Sequence, residues 1–325
     1  MTALLSLSGL TVDIPVAAGT LHALRGVTLD VREGEVFAIV GESGCGKSLT
    51  AAAILGLLPD SATLRAERMT WDSQDMTRMS RRQRMAMSGP QISAIFQDPL
   101  TALNPILSVG EQMTEGFLAH RLGSRSQARA RAAELLEAVG VTPAERRMAQ
   151  FPHELSGGLR QRVMIAMSLM CHPRLVVADE PTTALDVTTQ VEILRLLQDR
   201  QKEAGLSLVL ITHDLGVVAH IADRVAVMYA GEVVEQGSVA QVVGSPAHPY
   251  TRALLDCLPD LGQPERKLTP IPGVVPALTG DLTGCAFRNR CPHAHAACAG
   301  GIPWHRADTG QGYRCVLAPT SEEAA

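Results

Sequence analysis

Eight consecutive residues, Gly41-Glu42-Ser43-Gly44-Cys45-Gly46-Lys47-Ser48, constrain this chain more than any others. An apolar run, Val36-Phe37-Ala38-Ile39-Val40, precedes them. A helix-compatible stretch, Leu49 to Leu58, follows and stops at Pro59. Strand, glycine-rich loop and helix are the context in which this spacing makes a phosphate cradle. Glycine lacks a Cβ, so the loop can curl until successive N–H groups point inward at phosphate oxygens. The helix N-terminus, opening at Leu49, adds its partial positive charge. In such a cradle Lys47 would reach the β- and γ-phosphates and Ser48 would hold Mg²⁺.

The 325 residues suffice for one large α/β domain with additions. A net charge of −4 gives no footprint for nucleic acid. Two locally basic runs, Arg78–Arg84 and Arg121–Arg131, read as solvated faces. The longest apolar runs, such as Val163–Met170, fall well short of the roughly 18 residues that span a bilayer. No charged segment followed by an apolar one marks the N-terminus as a signal peptide, so the chain is expected in the cytoplasm, reaching a membrane only through a partner.

Alternating segments Leu4–Val12 and Gly26–Val31 predict half-buried strands. Further strand signals lie at Leu175–Ala178, Ser207–Thr212 and Val225–Tyr229, with helical patterns between them, notably Val191–Ala204. Strands alternating with helices predict a mostly parallel sheet. Helical steps such as Ser126–Val139 place a helical subdomain at about residues 98–160. Gly231–Gly237 reads as the turn and strand of a closing hairpin. After residue 244 the composition shifts to Pro, Gly, Cys and His, which predicts a nucleotide-binding domain over 1–244 and a small, loop-rich domain over 245–325.

A second motif, Leu175-Val176-Val177-Ala178-Asp179-Glu180, is an apolar strand ending in two carboxylates. Asp179 there suits support of Mg²⁺, and Glu180 suits polarisation of an attacking water. A third, Leu155-Ser156-Gly157-Gly158-Leu159-Arg160-Gln161, places Ser156, Gly157 and Gly158 at a helix N-terminus with free N–H donors, a second anion site in one chain.

Together these motifs resemble the ATP-binding subunit of an ABC transporter, whose signature is Leu-Ser-Gly-Gly-x-x-Gln. That resemblance implies a P-loop NTPase fold: a RecA-like core, an N-terminal antiparallel β-subdomain and an inserted helical subdomain. It also implies roles by position. Gln97, in Phe96-Gln97-Asp98-Pro99, is similar to the loop glutamine that contacts Mg²⁺ and water. Ala184-Leu185-Asp186 is similar to the loop that lines the dimer interface. His213, in Ile211-Thr212-His213-Asp214, is similar to the histidine that contacts the γ-phosphate. Lys47, Gln97, Glu180 and His213 would carry catalysis, with ATP and Mg²⁺ bound. Ser156 to Gly158 would complete the site of a second ATPase subunit, identical or a sibling. One departure concerns the base. The family has an aromatic residue near the N-terminus that stacks on adenine, but no Phe, Tyr or Trp precedes Phe37 here; Ile14 and then His22 stand in its place.

Four further segments are similar to the first ATPase subunit of dipeptide and oligopeptide importers: Gln97 to Pro105, Phe151-Pro152-His153-Glu154, Ser245-Pro246-Ala247-His248-Pro249-Tyr250-Thr251 and Ile271-Pro272-Gly273. The resemblance implies a peripheral protein on the cytoplasmic face of the cell's inner membrane. It would be docked on two permease subunits, indirectly served by an extracytoplasmic binding protein. A nickel or other metal-ion importer shares the architecture, and a soluble non-transport ABC ATPase is the alternative from another class. Four late cysteines, Cys285-x5-Cys291-x6-Cys298-x16-Cys315, suit a [4Fe–4S] cluster or zinc, or remain free thiols. Their gaps exceed the short Cys-x2-Cys pairs of zinc ribbons. Some peptide-importer ATPases resemble this pattern and carry a [4Fe–4S] cluster; His293, His295 and His305 are available as alternative zinc ligands.

Overall fold

The computed structural model describes residues 3–182, 186–257, 270–280, 282–307 and 309–317. The chain divides into two compact units, residues 1–31, 36–77 and 212–325 in the first and 32–35 and 78–211 in the second.

The first unit contains an antiparallel sheet of N-terminal strands, ordered Gly19–Arg32, Ala3–Val16, Arg68–Trp71 and Gln74–Asp75, with Thr63–Arg65 also pairing on Ala3–Val16. This matches the β-subdomain that the resemblance implies. The same unit holds the Val36–Val40 strand, buried at every position. It runs parallel to Arg224–Tyr229, with Phe37 opposite Arg224 and Val40 opposite Val227. A strand buried on both faces reads as a continuous apolar run, as this one does. Arg224–Tyr229 turns back into the antiparallel strand Glu232–Ser238. The turn needs left-handed backbone at Ala230 (φ 50°) and Gly231 (φ 80°). At Gly231 a Cβ would sit 2.8 Å from the Ala23 carbonyl oxygen, so glycine is required.

The residues beyond 244 fall within the first unit. Gly312–Tyr313 pairs with Glu235 and Gln236, and His305–Arg306 pairs with Gly312–Tyr313, so the C-terminal segment extends the sheet of the first unit. Tyr250, Leu278 and Phe287 join Val225, Val227, Tyr229 and Val234 in one hydrophobic cluster. A segment of this length gains little burial alone, and here it buries its apolar side chains in a core the strands already provide.

The second unit is built on three parallel strands, Ile92–Ile95, Leu175–Asp179 and Ser207–Thr212. Around them are the helices Arg81–Met87, Pro99–Ala102, Val109–Ala119, Arg125–Ala138, Ala144–Met148, Gly157–Leu169 and Val187–Ala204. Ser108 with Glu111, and Ser124 with Gln127, form reciprocal caps that fix where two of these helices begin. Val109, Met113, Ala128, Ala132, Leu136 and Val163 are buried, which gives the expected helical region a core of its own. Among the described residues no helix is long and apolar enough to cross a membrane.

Within the first unit, buried Glu235 pins the start of the C-terminal segment. Its carboxylate accepts the backbone N–H of Ala247 at 2.8 Å and of His248 at 2.9 Å. His248, also buried, caps the Pro249–Asp256 helix by accepting the Tyr250 N–H at Nδ1. That bond uses the lone pair of a neutral ring, and burial pushes the His248 pKa down to about 4. The unfolded chain therefore binds the extra proton between about pH 6.5 and about pH 4, so this group contributes stability above that window and loses it as pH falls. Urea midpoints at about pH 7 and about pH 5 should show the loss in the parent. His248→Asn, which keeps an acceptor for the same N–H, should reduce it.

Candidate nucleotide site

The Val36–Val40 strand ends in the loop Gly41–Gly46, and the helix Lys47–Leu55 begins at once. Gly41, Gly44 and Gly46 have φ of 154°, 77° and 106°. A Cβ at Gly41 would lie 2.2 Å from the Met228 carbonyl oxygen and 2.7 Å from Cys45 Sγ; at Gly46 it would meet Leu24 Cδ2 at 2.7 Å. The curl therefore depends on these two glycines for space as well as for backbone freedom. No side chain caps the helix at Gly46, and a helix start of this kind favours an anion. Lys47 is 4% exposed, and its Nζ donates to the carbonyl oxygens of Gly41 at 2.8 Å and Glu42 at 3.1 Å. The ammonium thus lies within the loop it closes. Ser43 and Gly44 are exposed at the loop's crest, Ser48 is exposed, and Leu49 is half-buried. Cys45 is fully buried, and burial pushes its thiol up.

In the second unit, Gln97 Nε2 donates to Glu180 Oε2 at 3.0 Å. Glu180 follows the buried Leu175–Asp179 strand and has φ 45°, a left-handed conformation unusual for a non-glycine residue. Its N–H is bound to the Ile211 carbonyl at 2.9 Å, which fixes the bend. Asp179 and Glu180 are both half-buried. Sequence-distant Gln97 and Glu180 are thus brought together, as an attacking water would need.

Ser156 caps the 13-residue helix Gly157–Leu169, its side chain accepting the Leu159 N–H at 3.4 Å. Ser156 and Gly157 are exposed. A Cβ at Gly157 would meet nothing within 4 Å, and one at Gly158 would touch only Thr189 Cγ2 at 3.4 Å. Among the described residues nothing demands glycine at 157, whereas close approach of an anion from outside would.

Residues 24–183 match the family described as ABC transporter, and residues 234–298 match the family described as Oligopeptide/dipeptide transporter, C-terminal region. The dipeptide transport ATP-binding protein DppD of Bacillus subtilis is 48% identical over 92% of this chain and 89% of its own length. The oligopeptide transport ATP-binding protein OppD of the same organism is 47% identical over 90% and 83%. The DppD of Escherichia coli is 44% identical over 91% and 90%. The chain belongs to the oligopeptide/dipeptide family of ABC transporter ATP-binding proteins. A solved structure of the ATP-binding cassette MJ0796, dimeric and bound to ADP and Pi, superposes with a TM-score of 0.65 at 30% identity, covering 72% of this chain and 98% of that one.

The remaining positions that an ABC ATP-binding protein uses are placed as follows. His213 is exposed in the turn after Ser207–Thr212, and Asp214 caps the next helix by accepting the Gly216 and Val217 N–H groups. Ala184 and Leu185 lie outside the described residues. Asp186 is the exposed N-cap of Val187–Ala204, where the Thr189 N–H and hydroxyl hold its carboxyl below the usual range. Ile14 is half-buried, and His22 Nδ1 lies 2.7 Å from Asp13 Oδ1.

Of the expected [4Fe–4S] cluster or zinc, the structure supports only the convergence of the four thiols. Cys285, Cys291, Cys298 and Cys315 line one cavity, together with His248 and His293. Among the described residues no group of three or more His, Cys, Asp or Glu is arranged to hold a metal ion. Burial pushes the Cys285, Cys291 and Cys315 thiols up, and the neighbouring thiols add to it. Two residues that sequence reasoning passed over as site residues lie against the loop. Tyr250 Oη accepts the Glu42 N–H, and Arg290 binds the Glu42 carboxylate.

The glycines give a graded prediction. Gly41→Ala must displace the Met228 carbonyl, so it should cost about 3 kcal/mol and abolish nucleotide binding. Gly44→Ala meets nothing within 4 Å and carries only left-handed strain, about 1–2 kcal/mol. Urea denaturation of both variants checks the order.

Proposed function

We propose that this chain is the ATP-hydrolysing subunit of an importer of dipeptides or oligopeptides, working from the cytoplasmic face of the cell membrane. The observation that carries the reading is the loop Gly41–Gly46 closed around the buried Lys47 ammonium. When a triphosphate arrives, its oxygens replace the two loop carbonyls as partners of Lys47 and take the N–H groups of the loop and helix start. Ser48 and Asp179 offer hard oxygen donors of the kind that would hold Mg²⁺, which would supply charge neutralisation on the phosphates.

In this reading Glu180 accepts a proton from the attacking water, and Gln97, bonded to it, orients that water. His213 contacts the γ-phosphate. Ser156, Gly157 and Gly158 offer their helix N-terminus to the nucleotide of a second ATPase subunit, and Asp186 faces that partner. The uncapped space beside Gly157 supports this role. The dimeric ADP-bound cassette that this chain resembles supports pairing. Two permease subunits would receive the work, and the names of the relatives support peptides as cargo.

The test is the complex reconstituted in proteoliposomes with its permease and second ATPase. Glu180→Gln should slow ATP hydrolysis by about 10²–10⁴-fold while nucleotide affinity changes little. Lys47→Ala should weaken ATP binding itself. Uptake of labelled dipeptide should stop in both. Parental hydrolysis by Glu180→Gln would contradict the mechanism, and nickel uptake without peptide uptake would contradict the cargo.

A further inference from the structure

The phosphate loop contains a carboxylate, Glu42, that triphosphate chemistry does not use. A negative charge inside a loop that gathers phosphate oxygens opposes the ligand by Coulomb repulsion. In the structure Arg290 takes up that charge. Its Nη1 donates to Glu42 Oε2 at 2.6 Å and its Nη2 to Glu42 Oε1 at 2.9 Å, a two-pronged pair. The Arg290 side chain is only 4% exposed, against 29% for Glu42. Arg290 Nε donates to the Pro272 carbonyl at 2.8 Å, and the guanidinium carbon lies 5.8 Å and 5.9 Å from the ring centres of Tyr229 and Phe287.

A second bond acts on the same loop residue. Tyr250 Oη accepts the Glu42 N–H at 2.9 Å, which orients the peptide whose other end, the Gly41 carbonyl, accepts from Lys47 at 2.8 Å. Tyr229, Tyr250 and Phe287 pack with ring centres 4.6–5.3 Å apart, so both holds come from one rigid aromatic cluster. The turn that presents Arg290 is closed by its N–H to the Phe287 carbonyl at 2.9 Å and lies between Cys285 and Cys291.

We propose that Arg290 is a positioning residue for the phosphate loop. It neutralises the loop's own carboxylate and holds Glu42 in the curl that Lys47 and a triphosphate require. The C-terminal segment is then part of the nucleotide site's support. The inference rests on residues 41–48 being that site.

The experiment uses the full chain and compares Arg290→Gln, Arg290→Lys, Glu42→Gln and the Arg290→Gln/Glu42→Gln double variant. Two quantities are read: hydrogen exchange of the 41–48 peptide without nucleotide, and affinity for a fluorescent ATP analogue. Arg290→Gln should speed exchange of the loop and weaken binding about tenfold, because it leaves an unpaired carboxylate beside the phosphates. Arg290→Lys, with the charge but not the fork, should recover part of the affinity. Adding Glu42→Gln to Arg290→Gln should recover affinity too, which a purely structural role for Arg290 would not produce. Binding by Arg290→Gln within about twofold of the parent, or a double variant weaker than both single ones, would overturn the proposal. Failure of the parent to bind the analogue would instead overturn the assignment of the nucleotide site, with the exchange data still reporting whether Arg290 restrains the loop.

Discussion

The nucleotide half of this protein depends on one buried charge. The Lys47 ammonium is held by two carbonyls of its own loop and almost closed off from water. A lone buried ammonium would be costly, so the loop must curl far enough to solvate it with backbone oxygen. The curl in turn demands glycine at 41 and 46, where a side chain would strike Met228 and Leu24. It also demands a rigid platform, which the fully buried Val36–Val40 strand and its parallel neighbour Arg224–Tyr229 supply. In the proposed site a triphosphate would exchange one set of oxygens around Lys47 for another.

How much of this was legible in the sequence follows from burial. Val36–Val40 and Ser207–Thr212 have the bounds expected from their apolar runs, because buried parallel strands leave no polar position to blur the pattern. Ser126–Val139 was expected as helix and is found as Arg125–Ala138. Ile92–Ile95 gave no such signal: four residues with Ser93 and Ala94 inside are too few to show a period. The two-residue strand Gly312–Tyr313 pairs with Glu235 and Gln236, far away in sequence, and His305–Arg306 pairs in turn with Gly312–Tyr313, so neither was legible as a strand.

The functional positions divide in the same way. Local motifs placed Lys47, Glu180 and the helix start at Ser156 because strand–loop–helix context is local. The hydrogen bond between Gln97 and Glu180 is a tertiary fact that the resemblance anticipated by role only. The pair of Arg290 with Glu42 spans 248 positions and was invisible. The cysteine spacing indicated that four thiols converge, and Cys285, Cys291, Cys298 and Cys315 do share a cavity.

The central claim is that the loop recognises the phosphate chain and Lys47 its outer members. Titration calorimetry of the full chain with AMP, ADP and ATP in the presence of Mg²⁺ tests this most directly. The account predicts binding of ADP and ATP and little binding of AMP, which offers neither a β- nor a γ-phosphate to Lys47. Equal affinity for all three would mean that the base and sugar carry recognition, and the account would be wrong.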